Sequence, residues 1–323
     1  MQVDVAGAIR VARLAVDFGW SWTTEDVHRF CDTAGWQLEP FGYDSADLRT
    51  NLGTAQPIGR VYRDLEFFED EGLPEQEITQ ILVRVADDGP RHASPESRAD
   101  LSDLFAELAD GFTGHLGDPA RRFSGGTPMI AWERLDVVIV LRAVTESISL
   151  RIINPIYQAS AKQLRRGSDG EKLEQPVRTV RPSQDNWLDF STALASTLVR
   201  MASGGKLLLG VPEGRGALFS MGWFDLECQI ALGEDLAVAK TNFVQQRMNM
   251  TEQGWESPPG TSWFRSIRWP SKYQEYESMS DHAIDALRAV LQVAHPHDLE
   301  ISAWQESLDS PSSVPDITAF RGN

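Results

Sequence analysis

Residues 261–270 read TSWFRSIRWP. Side chains in a β-strand alternate between faces, so Trp263, Arg265, Ile267 and Trp269 share one side and Phe264, Ser266 and Arg268 the other. Pro270 cannot donate to a ladder and ends the strand. One side is rich in large apolar groups and the other is polar apart from Phe264. That pattern fits a sheet covered on one face only. The cover lies next in the chain: YQEYESMSDHAIDALRAVLQVA, 273–294, places Ile284, Leu287 and Leu291 on one stripe of a helix. Upstream, MTEQGW predicts a short helix capped by Thr251 and closed by Gly254, with Trp255 packing back on it. Pro258 to Gly260 then turn the chain. At least two of Trp263, Ile267 and Trp269 are expected to be buried. Phe264, Tyr273 and Tyr276 are expected to form an exposed aromatic patch for a partner.

Working outward, NWLDFSTALASTLVRMASGG predicts a helix from 187, with Phe190, Leu194, Leu198 and Met201 at helical spacing. Strands are predicted at 206–212, 216–222, 223–232 and 234–243. The first half repeats this alternation of element types. Helices are predicted over 3–18 (Val5, Ile9, Ala12 and Val16 on one face), over the TTEDVHRFCDTAGW segment, and from Ser94 and Pro95 to Gly117. Strands are predicted at 59–68, 77–87 (buried on both faces or nearly so), 129–135, 136–144 and 147–155, the last two as a hairpin. Both halves therefore read as α+β, helix against antiparallel sheet. The polar stretch 161–186, with Gly167, Gly170, Pro176 and Pro182, lacks apolar periodicity and reads as a linker. The domains are set at 1–160, 185–308 and a mobile tail 309–323, with a linker at 161–184.

The 323-residue chain is 41% hydrophobic and carries a net charge of −17. That acidity disfavours nucleic acid, whose phosphates demand a positive surface. No run of 18 apolar residues exists, so no membrane span is expected. The N-terminal stretch lacks a secretory h-region, and the two cysteines, Cys31 and Cys228, read as small buried hydrophobes of a reduced, cytoplasmic protein.

No catalytic, cofactor or metal site emerges from the motifs. SGGKLLLG, 203–210, lacks the glycine spacing and the Ser or Thr of a phosphate loop. HPHD, 295–298, sits at a helix end where polar residues are ordinary. Paired carboxylates such as Glu69–Asp70–Glu71 lie in turns and read as solvated surface. The Gly–Trp pairs at 19, 35 and 254 read as helix ends, with glycine left-handed and tryptophan folded back.

Three stretches of the second half resemble, in order, actinobacterial domains related to YbjN and the type III secretion chaperones: NWLDFSTALASTLVRMASGGKLLL, EQGWESP with WFRSIRWP, and ALRAVLQVAHPHDLEISAW. The resemblance spans about residues 185–306. The first half resembles an actinobacterial domain of unknown function through PIGR at 57–60, EITQILVRVAD, HLGDPARR and SISLRIINPIYQ. The likeness implies two chaperone-like modules in tandem that bind a protein or peptide, linked to specialised secretion. It carries no catalytic residues, so no enzyme is expected. Immunity against a secreted toxin is the alternative, and an enzyme with an unrecognised site a further one. The two modules are expected to be able to pair as an intramolecular pseudo-dimer.

Overall fold

The computed structural model describes residues 3–54, 56–63, 78–86, 95–144, 147–157, 177–211, 215–231, 250–256, 262–305 and 314–321. They form two compact α+β units, Met1–Arg122 with Thr127–Lys172 and Phe123–Gly126 with Leu173–Asn323.

The first unit opens with α1 (Val5–Asp17) and α2 (Thr24–Ala34). Asp4 caps α1 by accepting from Gly7 N at 2.7 Å. Thr23 caps α2, and Gly35 ends it at φ +70°, a conformation glycine adopts without a Cβ penalty. The deepest side of α1 is Ala8, Val11, Ala12 and Ala15, about one position round from the expected stripe. Ile9 instead faces α3 (Pro95–Leu116), where a Cβ on Gly111 would come within 2.7 Å of it. Pro95 opens α3 as predicted; Ser94 lies outside the described residues. Phe105, Leu108 and Phe112 of α3 are buried.

The strands are β1 (Gln37–Leu38), β2 (Ser45–Arg49), β3 (Ile58–Arg63), β4 (Ile78–Ala86), β5 (Arg121–Phe123), β6 (Met129–Glu133), β7 (Val138–Val144) and β8 (Ser147–Ile153). Their order in the sheet is β1-β2-β3-β4-β8-β7-β6-β5. The predicted hairpin is β7 with β8, antiparallel through Val144 and Ser147. In β4, Ile81, Val83 and Val85 are buried while Gln80, Leu82 and Arg84 are only partly covered. That strand is therefore closed on one face and partly open on the other, short of the burial on both sides expected from its apolar content.

The second unit holds β9 (Arg178–Val180), α4 (Trp187–Val199), β10 (Gly205–Val211), β11 (Arg215–Met221), β12 (Asp225–Ala231), β13 (Ser262–Arg268), α5 (Tyr273–Ala289) and β14 (Glu300–Gln305). The sheet order is β13-β12-β11-β10-β14-β9. Asn186 caps α4 by accepting from Asp189 N at 2.9 Å. α5 packs on β11, β12 and β13 and against α4. The predicted strand at 234–243 lies outside the described residues.

Two expectations change here. Within the expected linker, 178–180 forms an edge strand beside β14; three residues are too few to show a period. Within the expected mobile tail, Val314, Ile317 and Phe320 are buried. Phe320 stacks near Phe190 at 5.3 Å between ring centroids, and Asp316 pairs with Arg200 at 2.9 Å. Residues 314–321 thus complete the second core.

Candidate functional site

The site is built on the second sheet, whose two faces differ. On the covered face, Leu226, Ile230, Trp263 and Ile267 sit in register and are buried, with Trp269 beyond the strand end. Trp255 is buried as well. Gly254 stands at φ +79°, and Trp255 N donates to Met250 O at 2.9 Å. Gly35 and Trp36 repeat this geometry. Gly19 does not: α1 ends in extended backbone at Phe18, and Trp20 returns to the helix through its ring, Nε1 donating to Ala15 O.

Arg265 also belongs to the covered face, opposite Cys228. Its guanidinium donates to Gln253 O at 2.5 Å and to His282 Nδ1 on α5. It thus ties the 250–256 segment to the helix. Burial, and then the Arg265 charge, hold the His282 imidazole below its ordinary range, against the opposing pull of Asp285 and Asp281.

The three aromatics expected to form one exposed patch separate. Tyr276 is 2% exposed and Tyr273 8%. Both point into the helix–sheet core, because the first turn of α5 docks on the sheet. Burial pushes the Tyr276 phenol up, partly opposed by a hydrogen bond with the Ser271 backbone. Phe264 is half-buried on the opposite, open face. The register places it in a row with Gln229, Leu218, Leu208 and Ser302 across β13, β12, β11, β10 and β14. Leu208, Leu218 and Phe264 are all half-buried. The next row holds Trp304, Lys206, Ser220, Glu227 and Ser266. The turn between β11 and β12 leaves Trp223 45% and Phe224 64% exposed. Among the described residues, this face, open to solvent there, is therefore an apolar strip with a polar margin of both signs. Such a surface can hold an extended segment through alternate side chains while the margin fixes its orientation.

Beyond β13, among the described residues, Glu256 pairs with Phe264 through two backbone hydrogen bonds of 2.8 and 2.9 Å. Leu208 and Leu218 escape sequence reading because KLLLG and ALFSM are apolar in both parities. Trp304 escapes it because β14 follows a 3-10 turn and looks like its tail.

The other sequence motifs have structural roles. Lys206 lies in β10, its Nζ donating to Ser220 Oγ at 3.0 Å, with Gly204 at φ +81° in the turn before it. His295 N donates to Asp298 Oδ2 at 2.9 Å, closing the 3-10 turn Pro296–Asp298. Cys31 and Cys228 are buried, and burial pushes the Cys31 thiol up to about 12. Glu69–Asp70–Glu71 lies outside the described residues. Among the described residues no helix is long and apolar enough to cross a membrane, and no three His, Cys, Asp or Glu gather at a metal-binding distance.

The class defined by this geometry is a two-module α+β protein, each module a helical layer on an antiparallel sheet. Residues 181–305 match the family model described as "T3SS (YopN, CesT) and YbjN peptide-binding chaperone 3". Residues 6–154 match "Family of unknown function (DUF6301)". No curated protein matches. Among solved structures, the Helicobacter pylori beta clamp aligns over 95% of this chain and 98% of its own at 8% identity, with a TM-score of 0.10.

Proposed function

We propose that the protein is a chaperone-like factor that binds a protein or peptide segment on the open face of its second sheet. The observation that carries this reading is the coincidence of two facts. The family model over residues 181–305 describes peptide-binding chaperones. The same module keeps Leu208, Leu218 and Phe264 half-exposed in one cross-strand row. A client of specialised secretion in an actinobacterial cytoplasm fits this surface: a segment not yet folded offers alternate apolar side chains to such a strip. Binding, rather than catalysis, is the role assigned.

The test is a pull-down from native cell extract with mass spectrometry, using the natural chain and a Leu218→Glu, Phe264→Glu variant. Secreted proteins recovered by the natural chain and lost by the variant, with near-ultraviolet circular dichroism unchanged, support the reading. A single toxin held by both would move the function to immunity and off this face. Turnover of a small molecule with no protein recovered would sink it.

A further inference from the structure

One face of the first sheet, open at β2 and β3 and buried at Val138 and Val140 of β7, carries one arginine on each of five neighbouring strands: Arg49 on β2, Arg60 on β3, Arg84 on β4, Arg151 on β8 and Arg142 on β7. Two cross-strand rows hold them. In one, Asp47 faces Arg60, Arg60 faces Leu82, Leu82 faces Arg151 and Arg151 faces Val140. In the other, Arg49 faces Ile58, and Arg84 faces Ser149, which faces Arg142. Arginine alternates between the rows from strand to strand. Each is the diagonal neighbour of the next, about 7–8 Å away. An extended peptide repeats its same-side residues at about 7 Å.

Like charges at that spacing repel, and the face only partly offsets them. Glu39 pairs with Arg49 at 3.2 Å and Asp47 with Arg60 at 2.8 Å. The contact to Asp47 uses Nε of Arg60, one of the five donors a guanidinium offers. Arg84 donates to Gln56 Oε1 at 2.8 Å. At the other end, Nε of Arg151 is buried without a partner, and among the described residues neither Arg151 nor Arg142 has a carboxylate. Burial, then the Arg142 charge, holds the Arg151 guanidinium below its ordinary range. Between β2 and β4 the face is hollowed into a cavity of about 760 Å³ whose lining includes Arg49, Ile58, Arg60, Tyr62, Leu82 and Arg84. Side-chain exposure is 71% at Arg49 and 49% at Arg60.

We propose that this hollow in the first unit is a docking groove for an extended acidic peptide segment, whose alternate carboxylates meet Arg49, Arg60 and Arg84 while Ile58, Tyr62 and Leu82 take the side chains between them. Charge complementarity selects the occupant: among the charged residues lining the hollow, the arginines Arg49, Arg60 and Arg84 outnumber the carboxylates Glu39 and Asp47, on a chain whose net charge is −17. Nucleic acid fits less well, because Glu39 and Asp47 line the same hollow and would face the continuous negative charge of a phosphate backbone. The groove lies wholly in the first unit, so its failure would leave the proposed role of the second sheet standing.

Fluorescence anisotropy on the full chain tests it, with a labelled alternating Glu–Thr peptide of about twelve residues, its Gln–Thr counterpart, and a single-stranded oligonucleotide of equal charge. The Glu–Thr peptide is expected to bind at about 50 mM NaCl and to weaken at least about tenfold at about 500 mM. An Arg60→Gln, Arg84→Gln variant is expected to bind it at least about tenfold more weakly, since it removes two charge-assisted contacts. Arg60 is exposed and Arg84 half-buried, and unchanged circular dichroism verifies the fold. Binding of Gln–Thr at equal strength, an unaffected variant, tighter binding of the oligonucleotide, or no binding of Glu–Thr at low salt would each overturn the proposal.

Discussion

Asp26 gathers several contacts at the start of the second helix of the first unit. Its carboxylate accepts from Ser21 Oγ at 2.8 Å and from Trp22 N at 2.7 Å, and it pairs with Arg29. Trp22 stands at φ +63°, a costly conformation for an aromatic residue; the Asp26 contact and the bond from its Nε1 to Asp136 O at 2.9 Å hold it there. Burial alone would raise the Asp26 carboxyl, but the Arg29, Ser21 and Trp22 hydrogen bonds outweigh it and leave it lowered. Its contribution is therefore present above the unfolded value of 3.8 and lost as the pH falls through the lower folded value. Asp26→Ala is expected to cost about 1–3 kcal/mol by leaving buried donors unpaired, read by urea unfolding near neutral pH. His282 works at a higher pH. Its folded value is lowered, so the native state binds fewer protons there than the unfolded chain. Stability is fully present above 6.5 and declines as the pH drops toward the folded value. Thermal melts of the natural chain and of His282→Gln from about pH 8 to about pH 5 test this. The variant's profile is expected to be flatter, and parallel profiles would contradict it.

Among the elements, β13 shows how much was legible in sequence. Its alternation identified the strand, its covered face and the burial of Trp263 and Ile267. The helix after it was equally clear, but the assignment of Tyr273 and Tyr276 to an outer patch failed. A stripe read from Ile284, Leu287 and Leu291 says nothing about the first turn, where α5 meets the sheet end. Phe264 was read onto the correct face, yet its neighbours there come from β11 and β10, and cross-strand register is invisible to local pattern. The two sides of β13 predict different costs. Trp263→Ala is expected to lose about 3–5 kcal/mol, as for a buried aromatic, whereas Phe264→Ala should lose less than about half of that, since one side of its ring is already wet. Equal losses in chemical denaturation would contradict the two-faced reading. The tail makes a similar point. Phe320 lies in SSVPDITAF, which lacks any period, and its burial against Phe190 depends on a contact 130 residues back in the chain. Phe320→Ala is expected to destabilise the second unit by about 3–5 kcal/mol, although the change falls in what sequence reads as a loose end.

For the whole molecule, the tandem of two helix-on-sheet modules was readable from the alternation of periods, but the wiring was not. In the second unit the strand after the long helix, β14, returns beside β10, the first strand of its meander. In the first unit β8 returns beside β4, the last. The modules share an outline and not a strand order, which is consistent with their matching two different family models. Their partly open faces differ in chemistry too, apolar with a mixed margin in one and arginine-rich in the other. Client binding belongs, under the proposed function, to the apolar face. It is tested most directly by placing a photo-crosslinking phenylalanine analogue in turn at 218, 264 and 276 and irradiating cells that express the full chain. Protein adducts are expected from positions 218 and 264 and none from the buried position 276. Adducts absent from 218 and 264, or formed equally at 276, would contradict it.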